Sequence, residues 1–136
     1  MKLNFLIVVT FLSIQPLNVW AQGGGCGLFG SVAGFKDQAS IRTFLTGLKA
    51  SKNAESLLKY VKFPLKVNTN PTPMIVKDSS EFKAKFNEIY TAKFQKEIAN
   101  SKDTDAYCNP DGLMFGHGTI WVKNIGGSPG VFAINP

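Results

Sequence analysis

His117 is the only histidine in the chain. Histidine changes charge near neutral pH, so acid–base chemistry in this protein would start there. Tyr90, Phe115 and Trp121 join it as the candidate ligand-binding set, aromatic side chains able to line a pocket around one imidazole. The plainer expectation is a hydrogen-bonded histidine inside a crowded strand. The functional expectation is a general acid or base at a pocket mouth, with Asp105, Tyr107 and Asp111 the residues best placed to act with it. No catalytic residue is assigned, because no G-x-S-x-G nucleophile turn occurs. Gly23-Gly24-Gly25 does not follow a strand, as a phosphate-cradling loop would. Two cysteines and one histidine supply at most three ligands without metal spacing, so neither a metal nor a cofactor is expected.

Whether Cys26 and Cys108 act as thiols or as a bridge depends on the compartment. The start of the chain decides that expectation. Lys2 precedes the apolar run Phe5-Leu6-Ile7-Val8-Val9-Thr10-Phe11-Leu12, Pro16 follows, and Val19-Trp20-Ala21 has the small residues that a cut before Gln22 needs. This reads as a cleavable secretory signal over residues 1–21, and the apolar run is shorter than the roughly 20 residues of a spanning helix. The glycines before Cys26 are unlike a lipoprotein-processing box. Export to the periplasm or exterior is the expected localisation, with no membrane span after processing. In that oxidising setting a Cys26–Cys108 disulfide is expected, contributing roughly 3–4 kcal/mol by closing a long loop.

Processing leaves about 115 residues, enough for one core and too few for two. The expected divisions are the leader, a glycine-rich segment over 22–34 and one domain over 35–136. The chain carries a formal net charge of +6, and Arg42 is its single arginine. A lysine-dominated surface lacks the guanidinium forks that phosphate recognition favours, so nucleic acid is not an expected partner. An acidic partner is.

Ile41, Phe44, Leu45 and Leu48 recur at helical spacing after Asp37, and Asn53 caps a short second helix with Ala54, Leu57, Leu58 and Val61 on one stripe. The period then changes to two in Phe63, Leu65 and Val67, a strand that Asn70-Pro71-Thr72-Pro73 turns into Met74-Ile75-Val76. Asp78-Ser79-Ser80-Glu81 opens the strongest element, in which Phe82, Phe86, Ile89, Tyr90, Phe94 and Ile98 predict one long helix ending near Asn100. Beyond it come Ala106-Tyr107-Cys108, the Asn109-Pro110-Asp111-Gly112 turn, and a long central strand from Leu113 to Lys123. That strand would place Leu113, Phe115, His117, Thr119 and Trp121 on one face. Gly126 to Gly130 turn the chain into a last strand, Val131 to Asn135.

The segments Phe63-Pro64-Leu65-Lys66-Val67, Glu81 to Tyr90, and Asp111-Gly112-Leu113-Met114-Phe115-Gly116-His117-Gly118-Thr119-Ile120-Trp121 resemble a pattern in small exported bacterial proteins. Their order resembles the nuclear-transport-factor-2-like, or cystatin-like, superfamily. That resemblance implies an α+β fold in which a curved antiparallel sheet wraps on a long helix, with two shorter N-terminal helices, as a cone-shaped roll. It covers most of the mature chain. Enzymes of the superfamily place an Asp or a His–Asp pair inside the cone, whereas the acidic residues here fall in caps, turns and exposed helix faces. The fold hosts many functions. The first expectation is therefore an exported non-catalytic binding protein of the cell envelope, holding a protein such as a secreted enzyme, or a small ligand in the cone. The alternatives are a small proton-transfer enzyme of isomerase or dehydratase type using His117, and a structural envelope component.

Overall fold

The computed structural model describes Cys26 and residues 30–136. The segment over 1–21 expected to be a secretory leader, and the Gly23-Gly24-Gly25 run, lie outside the described residues. Two capping boxes start the helical part. In α1 (Gln38–Ala50) the Asp37 carboxylate accepts from Ser40 N at 2.7 Å, and in α2 (Ala54–Leu58) the Asn53 amide oxygen accepts from Ser56 N at 2.9 Å. Each satisfies an amide that the first helical turn would otherwise leave open. Ile41, Leu45 and Leu48 of α1 and Leu57 of α2 are buried.

Six strands follow: β1 (Val61–Val67), β2 (Met74–Val76), β3 (Tyr107–Asn109), β4 (Gly112–Phe115), β5 (Ile120–Ile125) and β6 (Ser128–Ile134). They form one open sheet in the order β2-β1-β6-β5-β4-β3. The fold is α+β, as expected, but the sheet is mixed instead of antiparallel, because β6 runs parallel to β1. Pro64 sits inside β1 without disrupting a ladder. The β1–β6 register shifts between Val61 and Lys66, and β2 pairs only with Leu65 to Val67, so the missing amide falls where no rung is made.

The single long helix expected after Asp78 is three helices, α3 (Ser79–Ala84), α4 (Phe86–Ile89) and α5 (Ala92–Asn100). Lys85 leaves helical geometry with ψ near 7°, and Tyr90 and Thr91 leave it again, with Thr91 extended at ψ 162°. The Thr91 hydroxyl then caps α5 by accepting from Phe94 N at 3.1 Å. Threonine offers that cap readily and propagates a helix poorly, which is the physical reason for the second break. The breaks let Phe86 and Tyr90 stack with centroids 4.9 Å apart and bring the Tyr90 hydroxyl to donate to the Ser51 carbonyl at 2.9 Å.

The expected Leu113–Lys123 strand is a hairpin. Residues 116–119 form a turn between β4 and β5, with Thr119 N donating to Gly116 O at 3.0 Å. A reversal there changes the phase of alternation, so Leu113 and Phe115 face the same side as Ile120 and Val122, while Trp121 faces the other. One core cluster joins these inward strand residues to Ile41, Leu45, Phe82, Phe94 and Ile98 of the helices. Cys26 and Cys108, both buried, form a disulfide that ties the N-terminal segment to β3. Ala33 and Phe35 of the same segment are buried in the core cluster. Among the described residues no helix is long and apolar enough to cross a membrane.

Candidate functional site

Gly116, His117 and Gly118 all have positive φ, at 64°, 53° and 92°. Glycine takes that geometry freely, and at Gly116 a Cβ would also come within 2.8 Å of Ile98 Cδ1. His117 has no such freedom, and a side chain in left-handed geometry costs about 1–2 kcal/mol. The turn therefore presents its imidazole at the surface, with the side chain 73 % exposed. This corrects the plainer expectation made from the sequence: His117 is neither mid-strand nor crowded.

Asn135, just past β6, clamps the turn. Its backbone amide donates to Thr119 O at 2.8 Å, its side-chain amide donates to Gly118 O, and its own oxygen accepts from Asn68 at 2.6 Å. On the other side α5 brings Lys93 and Glu97, one turn apart on the same helix face. Glu97 Oε2 lies 3.4 Å from His117 Nδ1, and Lys93 Nζ donates to the Pro136 carbonyl at 3.2 Å. Each of the two side chains thus reaches off the helix, with no ion pair formed between them. The residues expected to act with His117 are placed elsewhere: the Asp105 carboxylate accepts from Lys102 N at 2.8 Å, the Asp111 backbone amide donates to Asn109 Oδ1 in the turn between β3 and β4, and Tyr107 stands on the outer edge strand. Glu97 is the partner that sequence reasoning missed, since no spacing links a helix position to a turn twenty residues later.

Lys93, Glu97, His117, Thr119, Trp121 and Asn135 line an open recess of about 570 Å³. Of the four residues expected to bind ligand, the recess unites His117 and Trp121 only. Phe115 is fully buried, and Tyr90 is tied to Ser51 on the helical side, where burial raises the pKa of its hydroxyl. Phe82, Phe94, Phe115 and Leu113, all fully buried, fill the space between helices and sheet where the cone would place a ligand. A second open recess, of about 540 Å³, lies between Phe35, Phe44, Tyr60 and Pro129 and brings no acid–base pair together.

No family model, curated protein or solved structure matches the chain. The functional reading therefore rests on the site alone. Among the described residues no three of His, Cys, Asp and Glu come together as metal ligands. The recess offers an ammonium, a carboxylate, an imidazole, an amide and an indole, all reachable from water. That set can recognise a partner by charge, hydrogen bonds and an aromatic contact.

Proposed function

We propose that this chain is an exported, non-catalytic binding protein of the cell envelope, a divergent relative of the cystatin-like rolls that has turned its recognition groups outward. The observation that carries the reading is the placement of His117: a strained turn, clamped by Asn135, holds the imidazole out beside Lys93 and Trp121. Strain maintained at an exposed residue points to use of that residue. The buried Cys26–Cys108 bond suits a compartment outside the reducing cytosol. Capture with the exported chain from an envelope extract tests this. A stoichiometric partner whose retention falls on His117→Ala and Trp121→Ala is the expected result, and absence of any stoichiometric partner would reject it.

One observation favours a second reading. Glu97 beside His117 Nδ1 would fix the imidazole's orientation, as a proton-transfer enzyme requires. Native mass spectrometry separates the two, since a small molecule retained by the exported chain and lost on His117→Ala would support the enzyme.

A further inference from the structure

The strand registers align Tyr107 with Met114, Met114 with Trp121, Trp121 with Ala133, Ala133 with Lys66, and Lys66 with Ile75. These six residues form one row across all six strands. Their neighbours along the chain, among them Leu65, Val76, Cys108, Leu113, Phe115 and Ile120, belong to the core, so alternation puts the row on the sheet face that the helices leave open. At about 4.8 Å per strand the row spans about 24 Å. Tyr107 and Ile75 at its two ends are each 51 % exposed, and Met114 and Trp121 between them are half-buried.

The charge carried by the strands has one sign. All nine acidic residues lie in helices, caps or turns, and the only charged residues in the six strands are Lys62, Lys66 and Lys123. Two of these lysines are held along the sheet by their surroundings. The ammonium of Lys123 sits 4.5 Å from the Phe132 ring centroid, and the stem of Lys62 lies against Gly130, in the space a side chain there would fill. Lysines so placed lose less freedom on binding than lysines waving in water.

Resting on the binding-protein reading above, we infer that this open sheet face is the docking surface for an acidic protein partner. The aromatic and apolar row supplies contact area that excludes water, and the lysines supply charge complementarity. A second copy of this chain would set lysine against lysine. Nucleic acid would meet no arginine on these strands, Arg42 being on α1 and paired with Asp103.

Trp121 is the only tryptophan after residue 21, so its fluorescence reports from the middle of the row. The exported chain is titrated with an acidic glutamate–tyrosine copolymer, with polygalacturonate and anionic vesicles as rival probes. Saturable change in Trp121 emission with the copolymer, weakened about tenfold or more by Lys66→Glu/Lys123→Glu and by raised salt but not by Lys96→Glu on α5, is the expected result. Melting curves show that each variant folds. Preference for polygalacturonate or for vesicles, or a copolymer response insensitive to the double variant, would overturn the inference. If the captured envelope partner is retained in full by the double variant, the face is wrong while the binding reading stands. If nothing is captured at all, the binding reading itself fails.

Discussion

Reducing the Cys26–Cys108 bond perturbs the protein without changing its composition. The bond spans 82 residues of sequence, and in the chain-entropy treatment a loop of that length restricts the unfolded chain by about 4 kcal/mol at 25 °C. Most of this should appear as lost stability. In the bonded structure Ala33 and Phe35 are buried and Asn124 N donates to Val32 O at 3.3 Å, contacts that do not depend on the sulfurs, so the N-terminal segment should keep its place when the bond is cut. The effect then lies in the unfolded ensemble, whose freedom increases. Against the 5–15 kcal/mol net stability of a domain this size, 4 kcal/mol is a large share and corresponds to a melting shift of roughly 15–20 °C. Urea unfolding of residues 22–136, oxidised and held reduced, measures it. A difference below about 1 kcal/mol would refute the argument, because the loop would then place no constraint on the unfolded chain.

Other perturbations address single contacts. Gly112→Ala meets both a φ of 140° and the Val122 carbonyl, whose carbon lies 3.2 Å from the new Cβ, so the unfolding free energy read from urea denaturation should fall by about 2–4 kcal/mol. Tyr90→Phe removes the bond to Ser51 and should cost about 1–2 kcal/mol while leaving partner capture unchanged, which a melting curve and a capture assay check together. Glu81 has its pKa lowered, first by the Lys77 backbone amide and then by Lys85. A carboxyl with a depressed folded pKa stabilises above its unfolded pKa and loses that contribution as pH falls through the folded one. Glu81→Gln should therefore flatten the stability profile on the acid side and leave its alkaline side unchanged, as denaturation at a series of pH values would show.

Much of the fold is legible in the sequence wherever side-chain chemistry acts locally. Asp37 and Asn53 announce their helices because each side chain caps an amide three residues on, and Leu65, Val67 and Val76 announce the first hairpin by alternation. The long helix misleads because the aromatic spacing from Phe82 to Phe94 is satisfied equally by three short helices whose rings pack in sequence, Phe82 on Phe86, Phe86 on Tyr90 and Tyr90 on Phe94. Thr91 carries the overlooked signal, a capping residue inside a helical pattern. At Gly116-His117-Gly118 a pair of glycines two apart reads as a weak spot in a strand, whereas together they make a turn and reverse the face on which Trp121 emerges. The Glu97 partner of His117, the Asn135 clamp and the row from Tyr107 to Ile75 depend on register between distant segments, which no local pattern encodes.

Trp121 is where the recess and the open face meet, and its accessibility tests the account most directly. Quenching of its fluorescence by a neutral solute is measured on residues 22–136 alone and with whatever partner the capture experiment yields bound. Shielding of Trp121 in the complex, severalfold and lost with Lys66→Glu/Lys123→Glu, is the predicted result. Equal quenching with and without a stoichiometrically bound partner would contradict it.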